Sequence, residues 1–386
     1  MFRFFCKDVM CRILTYGVEE RCVLLAAEDL AADMEKCASE QLNKQSDEYC
    51  IHIGTLDNAA FCKAVSDWLT EDEVPHKNEG YTVKVSDKQI VIAGRDSVGT
   101  MWGIYTVSKE FLHIDPCYLF NDNLPHRCET FEIKPTVISD YPRSFKYRGL
   151  FINDEDLLEG FKLSGGIREH NYPFYKKVIH REVFSMVIET MLRLKMNTVI
   201  PATLLDLEYE YEKLLADMAD ERGLWISQHH IGVSHISYGN YMTRLGKSES
   251  KFSFENNRGD MIDVWRHYTE LWSKYKRVIW QLSLRGEGDE PVWGAGNDSF
   301  DRDKYGRLIS EAYEIQYNLI KEITENPAPV CTVTLWMEGA QLYNEGRLNI
   351  PGNTIAVFSD IGYNQMFSED FFGVNAGKER SYGVYT

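Results

Sequence analysis

The stretch VIWQLSLRGEGDE, residues 278–290, joins a run of uncharged, mostly apolar residues directly to a charged loop. The run 278–284 predicts a buried strand, because a strand that is covered on both faces is a continuous apolar segment. One arginine, two glycines and three carboxylates follow: Arg285, Gly286, Glu287, Gly288, Asp289 and Glu290. Glycine lets the backbone approach a ligand closely, so the stretch predicts a functional loop at a strand end. The alternative is a solvated acidic turn that merely ends the strand.

The same succession of apolar run and polar loop occurs elsewhere in the chain. Further runs are residues 147–153, 197–203, 224–229, 330–336 and 354–359. Helical periodicity separates several of them, which is the pattern of a parallel sheet built from βα units. Polar residues stand at or just past the ends of the runs: Asn153, Asp154, Glu155, His229, His230, Glu338 and Asp360. A doubly wound sheet would fit the runs, but converging polar strand ends favour a (β/α)8-type (TIM) barrel.

The N-terminal part of the chain predicts a separate, smaller α/β domain. Strand-like segments at 11–16 and 49–55 flank a helical segment, and 81–85 with 89–94 predicts a hairpin. Prolines and mixed polar residues interrupt any periodicity in 121–144. We therefore expect an α/β domain over 1–135 and a catalytic barrel over 136–386.

The barrel is expected to be incomplete at its C-terminal end. Six strand-like runs follow Tyr147, and YGVYT at 382–386 resembles the start of a seventh, whereas a closed barrel needs eight. The sequence thus predicts a fragment or a truncated relative of a longer protein.

Composition excludes several classes of function. The chain has 386 residues, 44% of them hydrophobic, and a formal charge of −17, which disfavours nucleic acid and anionic membranes as partners. Its N-terminus lacks the apolar core and cleavage site of a signal peptide, so we expect a cytoplasmic protein. Nine cysteines without a CxxC pair predict reduced thiols. No GxxxxGK[ST] or HExxH motif occurs, and we expect no cofactor and no metal. His229, His230 and His235 keep a metal site open as an alternative.

Four motifs together resemble glycoside hydrolase family 115, the xylan α-glucuronidases. They are VIAGRDSVGTMWGIYTVSKEF (91–111), YRGLFINDED (147–156), RGEGDEPVW (285–293) and LYNEGRLNIPGNTIAVFSD (342–360). The resemblance runs from about Cys11 to the C-terminus. It implies a small α/β domain, a (β/α)8 barrel and further C-terminal domains. It also implies metal-independent hydrolysis with inversion, which releases glucuronic acid or its 4-O-methyl ether from xylan side chains.

The family's motif residues correspond to positions in this chain. Its Asn-Asp-Glu after strand one falls on Asn153, Asp154 and Glu155, and its Gly-Asp-Glu after strand four on 288–290. Its strand-five glutamate falls on Glu338, and the middle carboxylate after strand six on Asp360. Several positions depart from the family pattern. Trp336-Met337 replace the usual Tyr-Lys before Glu338, and Glu287 replaces an aspartate. Ile361 replaces an amide, and His229-His230-Ile231-Gly232 stands in place of His-His-Glu-Pro.

Glycoside hydrolysis requires one protonated carboxyl group and one ionised carboxylate. We expect Glu338 to be the general acid, since it follows an apolar run where desolvation favours the protonated form. Asp289, beside Arg285 and glycine amides, is expected to stay ionised as the base, and the two roles could be reversed. Asp154 is the third catalytic candidate. Expected substrate contacts are Arg285, Glu287, Glu290, Asn153, Glu155, His229, His230, Asp360 and Trp336, with Arg285 binding the uronate.

These residues leave two hypotheses of different class. The first is a hydrolase that acts on a uronic-acid-decorated oligosaccharide, and it is favoured by Asp154, Asp289 and Glu338. The second is a non-catalytic or altered-specificity carbohydrate-binding relative, and it is favoured by Ile361 and the changed histidine motif. A metal-dependent hydrolase is a further alternative, and a homo-oligomer is compatible with both hypotheses.

Overall fold

The computed structural model describes residues 1–153, 156–163, 165–167, 177–231, 254–285, 290–293, 300–361, 366–367 and 380–385. The chain divides into two compact units. The first comprises Met1–Gly149, Ser185–Thr198 and Glu221–Leu224, and the second comprises Leu150–Phe184, Val199–Asp220 and Trp225–Thr386. The division predicted from the sequence, 1–135 and 136–386, stays a prediction about domains.

A mixed seven-stranded sheet is the centre of the first unit. Its strands are β1 (Phe2–Cys6), β2 (Val9–Thr15), β3 (Lys44–Thr55), β4 (Tyr81–Val85), β5 (Gln89–Gly94), β6 (Thr130–Ile133) and β7 (Thr136–Asp140). They lie in the order β6-β1-β2-β3-β5-β4-β7. β3 pairs in parallel with β2 and with β5. The predicted hairpin is confirmed, since β4 and β5 pair antiparallel.

The helices of the first unit are α1 (Arg21–Cys37), α2 (Ala59–Val65), α3 (Ser97–Thr106) and α4 (Tyr118–Asn121), with a π-helical turn at Val107–Phe111. Of these, α1, α2 and α3 contact strands of the sheet. All ten residues of α3 are buried. Gly103 allows this close approach, because a Cβ there would stand 2.6 Å from Cγ2 of Ile92 on β5.

A buried ion-pair network also belongs to the first unit. Helix α5 (Arg181–Arg193) contributes its last turns to this unit. Arg193 donates to both carboxylate oxygens of Asp33 on α1, at 2.8 and 2.9 Å, and to Glu189 Oε1 at 2.9 Å. The side chains of Arg193 and Asp33 are 3% and 0% exposed. Burial alone would lower the pKa of Arg193, but Asp33 and Glu189 raise it above its ordinary value.

The second unit contains the remaining elements. Its strands are β8 (Gly149–Phe151), β9 (Gly166–Ile167), β10 (Lys177–Val178), β11 (Thr198–Ile200), β12 (Trp225–Ile226), β13 (Trp280–Gln281), β14 (Cys331–Leu335), β15 (Ile355–Ile361), β16 (Met366–Phe367) and β17 (Tyr382–Tyr385). Its helices are α6 (Glu210–Glu221), α7 (Arg258–Trp272), α8 (Arg302–Thr324) and α9 (Glu338–Asn344). Within the described ranges, no helix combines the length and apolar character needed to cross a bilayer.

Neighbouring strands of the second unit follow one another in chain order. One sheet has the order β12-β11-β8, and in the other β13, β14, β15 and β17 pair successively in parallel. A parallel bridge between Ile226 and Val278 lies between β12 and the start of the β13 segment. The predicted α/β class is thus confirmed. A closed (β/α)8 barrel, and its incompleteness, stay predictions.

Candidate active site

The parallel strands β13, β14 and β15 place three predicted site residues near the same sheet edge. Arg285 lies four residues past β13, Glu338 lies three residues past β14, and Asp360 lies within β15 close to its end. Carboxyl ends of parallel strands meet at one edge, which is where α/β proteins bind ligands. Of Asp360 only the backbone is described.

An ion pair joins two of the predicted residues across adjacent strands. Arg285 Nη1 donates to Glu338 Oε1 at 2.5 Å, and the two side chains are 9% and 13% exposed. A charge-assisted bond with this little exposure is screened weakly by water, so it holds the carboxylate at a fixed place in the site.

Tyr313 of α8 is buried behind this pair. Burial raises the pKa of Tyr313 above the ordinary value, with Arg285 lowering it and Glu338 raising it. Tyr313 therefore stays a neutral phenol at physiological pH, and it forms part of the low-dielectric wall of the site.

A strained turn fixes the direction of Glu338. Gly339 N donates to Trp336 O at 2.9 Å and closes a four-residue turn. Met337 occupies the second position of that turn with φ 45° and ψ −109°, values close to a type II′ turn, where glycine is usual. A side chain at this backbone conformation costs about 1–3 kcal/mol. Strain of this kind accompanies functional positions when the surrounding structure maintains it.

Aromatic and histidine side chains gather at the ends of other strands. His229 stacks on Phe151 with ring centroids 4.5 Å apart, and its centroid lies 3.9 Å from that of His230. The ring centroid of Tyr385, at the end of β17, lies 5.9 Å from that of Phe151. Both histidines are at most 8% exposed. The ends of β8 and β17 and the segment after β12 therefore meet in one cluster.

A polar brace joins helix α8 to the segments that carry His230 and Arg285. Gln316 Oε1 accepts from Ser283 N at 3.0 Å, and Gln316 Nε2 donates to Ser283 O at 2.7 Å. Ser283 Oγ donates to His230 O. Gln316 is fully buried. One side chain thus satisfies both backbone groups of Ser283, two residues before Arg285, and the Ser283 hydroxyl connects this segment to the segment after β12.

Replacing Gln316 with methionine should lower the free energy of unfolding by at least about 1–3 kcal/mol. The methionine has a similar volume, but it leaves the Ser283 amide and carbonyl buried without partners. Urea unfolding measures the effect. Gln41→Met, at an exposed position, is the control and should be neutral. Equal midpoints and slopes for the two variants would show that the brace contributes nothing.

The other predicted residues are placed as follows. Asn153, after β8, accepts a bond from Thr203 Oγ1 at 2.7 Å. Glu290 is exposed and Trp336 is half-buried. Four predicted residues lie outside the described residues: Asp154, Glu155, Glu287 and Asp289. Their assignments, and the division of roles between Glu338 and Asp289, stay predictions.

Within the described ranges, no three histidine, cysteine, aspartate or glutamate side chains are grouped as metal ligands would be. The sequence interpretation missed Gln316, Ser283 and Tyr313. A signal for Gln316 existed, because it lies at helical spacing on the same face as the buried Ile309, Ala312 and Ile320.

Three solved structures illustrate which known proteins share this fold. The chain superposes over its full length on 49% of BtGH115A, a family GH115 4-O-methyl-α-glucuronidase with specificity for decorated arabinogalactans, at a TM-score of 0.80 and 20% identity. The match to a GH138 enzyme targeting pectin rhamnogalacturonan II includes 90% of this chain and 38% of that enzyme, at a TM-score of 0.52 and 14% identity. The match to CpGH84B includes 93% of this chain and 54% of that protein, at a TM-score of 0.52 and 14% identity.

The comparison with curated proteins gave no match. The sequence profile of glycosyl hydrolase family 115 matches residues 140–385, more than half of the chain. The chain therefore belongs to glycosyl hydrolase family 115, as its motifs indicated. It spans about half the length of BtGH115A, 49%.

Proposed function

We propose that this chain is an α-glucuronidase unit that removes glucuronic acid or its 4-O-methyl ether from a polysaccharide side chain. The observation that carries the proposal is the Arg285–Glu338 pair at the ends of adjacent parallel strands of a family 115 chain. An arginine is the preferred partner of a planar carboxylate, and a uronic acid provides one. BtGH115A acts on 4-O-methyl-glucuronic acid linkages, which supports the same sugar here.

The ion pair suggests how substrate binding prepares Glu338 for catalysis. In the free protein Arg285 pairs with the Glu338 carboxyl group, and both side chains are largely buried. A bound uronate competes for that guanidinium and releases Glu338 from the pair. Glu338 then protonates the leaving glycosidic oxygen, while Asp289 as base activates a water for attack with inversion. In this scheme only the correct, anionic sugar prepares the acid.

The order of the strands supports a (β/α)8-type barrel as the frame of this site. In the described residues, seven strands of the second unit follow one another in chain order: β8, β11, β12, β13, β14, β15 and β17. The contact of Phe151 with Tyr385 brings the ends of the first and the last of them together. A barrel mouth is the place where loops from many strands converge on one substrate.

Hydrolysis of two substrate classes tests the function. The full chain should release free uronic acid from 4-O-methylglucuronoxylan oligosaccharides, from glucuronate-decorated arabinogalactan, or from both. Chromatography of the products measures release, and proton NMR during the first turnovers should show the anomer of inverted configuration. A chelator should not change the rate.

Two results would contradict the proposal. Absence of uronic acid from both substrates, with a folded protein, would remove the hydrolase function. If the same protein still bound the oligosaccharides, the carbohydrate-binding alternative would replace it. Release of the retained anomer would overturn the inverting mechanism alone.

A further inference from the structure

A cavity of about 300 Å³ lies within the first unit, formed by residues that no part of the proposed hydrolysis uses. Its lining includes Tyr81, Tyr141, Arg143, Phe145, Leu194 and Lys195. The volume is at the lower end of the ~300–1,000 Å³ of small-molecule sites, so it suits one sugar unit rather than an extended chain.

The walls of the cavity are held in place by polar contacts. Arg148 donates to Lys195 O at 3.0 Å, to Phe145 O at 2.8 Å and to Glu79 Oε2 at 2.7 Å. Lys195 Nζ donates to Tyr81 Oη at 2.6 Å and to Asp140 Oδ2 at 3.1 Å. These bonds connect the segment around Phe145 to the end of α5 and to β4. The cavity is therefore a formed site rather than a gap between loose segments.

The charge on the lining is opposite to that of the chain. Three cationic side chains and one carboxylate line the cavity, whereas the whole chain carries −17. Asp140 pairs with Lys195, and Glu79 pairs with Arg148. Arg143 is exposed and lies 5.6 Å above the Tyr141 ring, and among the described residues no carboxylate pairs with it. One cation at the rim is thus available to a monoanionic ligand.

The remaining surface of the cavity is suited to an apolar ring face. Phe145 is 73% exposed, an unusual exposure for a large apolar side chain beside a cavity. Lys195 Nζ and the Ser144 hydroxyl offer hydrogen bonds to hydroxyl groups. A ring with one apolar face, several hydroxyls and one carboxylate meets all of these groups at once.

We propose that this cavity is a second, non-catalytic binding site for a single uronic acid unit of an acidic polysaccharide, with Arg143 binding the carboxylate and Phe145 packing on the ring. The identity of the sugar rests on the proposed function, whereas the preference for an anionic ring rests on the cavity. Such a site would retain a decorated chain on the protein between hydrolytic events.

Calorimetric titration of the full chain tests the site, in a Glu338→Gln background so that ligand is not consumed. The probes are glucuronic acid, glucose, acetate and 4-O-methylglucuronoxylan oligosaccharides. Arg143→Ala and Phe145→Ala should each weaken one glucuronic acid binding event at least tenfold. Arg127→Ala, an exposed arginine outside the cavity in the same unit, should change nothing. Glucose and acetate should bind the cavity at least tenfold more weakly than glucuronic acid.

The results separate this site from the catalytic one. Binding that Arg143→Ala removes and Arg285→Met keeps belongs to the cavity, and the reverse belongs to the active site. Unchanged isotherms in both cavity variants would overturn the proposal, as would glucose or acetate binding as tightly as glucuronic acid. If wild type hydrolyses neither polysaccharide but the Arg143-dependent event persists, the cavity proposal stands and the hydrolase proposal fails.

Discussion

The Glu338→Gln variant should release uronic acid about 10²–10⁴-fold more slowly than the wild-type chain, a loss of roughly 3–5 kcal/mol of transition-state stabilisation. Glutamine keeps the size of the side chain and can still accept a bond from Arg285, but it has no proton to give to the leaving oxygen. Initial rates of release from a uronate-bearing oligosaccharide, at saturating substrate, measure the effect.

A matched control separates chemistry from folding. Glu345→Gln makes the same chemical change directly after the same short helix, where Glu345 pairs with the partly exposed Arg302 and Arg347, and it should leave turnover unchanged. Near-normal turnover in Glu338→Gln, with an intact thermal transition, would exclude Glu338 from the mechanism. If Arg285 prepares Glu338, the pH dependence of the wild-type rate should differ between substrates with and without a carboxylate. This difference should disappear in Arg285→Met.

The Arg193→Met variant should lose about 3–5 kcal/mol of unfolding free energy, because it leaves Asp33 buried without its bidentate partner. Lys36 remains 3.0 Å from Asp33, but its side chain is 35% exposed, and solvent weakens this interaction. Urea unfolding followed by tryptophan fluorescence measures the effect.

Two further variants make this prediction specific. Arg181→Met changes an exposed arginine of the same helix and should be close to neutral. Arg193→Met combined with Asp33→Leu removes both charges and should recover most of the loss, because replacing a buried pair by apolar groups is often neutral. An Arg193→Met chain as stable as the Arg181→Met chain would show that the network contributes little.

Much of the fold was predictable because hydrophobic periodicity records burial. The buried halves of β3 and β5, the amphipathic α1 and the apolar runs of the second unit all lie where periodicity placed them. Strands β6 and β7 did not emerge from 121–144, since they lie at the edges of the sheet and are largely exposed. The polar first half of β3, from Lys44, is likewise fixed by pairing with β2 and not by burial.

The candidate site was predictable where its residues follow strands, and not where helices support them. Arg285 and Glu338 were both assigned to the site by position alone, because parallel strands carry their ends to one edge. The ion pair between them was not predicted. The contact of Phe151 with Tyr385 depends on how distant strands are arranged in space, which no local pattern encodes. Nothing in the sequence distinguishes Ser283 within its apolar run. Its importance follows only from the hydrogen bonds that Gln316 makes to it in the folded structure.

The turn at Met337 limits how the protein could be made more robust. Its side chain is 58% exposed and its backbone adopts a conformation in which glycine is free of strain. A search for thermostable variants would therefore select Met337→Gly early. Glycine would also widen the range of backbone angles open to the next residue, Glu338. The position of the Glu338 carboxylate would then vary more. Heat resistance and catalytic precision would thus be opposed at this one position, as they often are in enzymes.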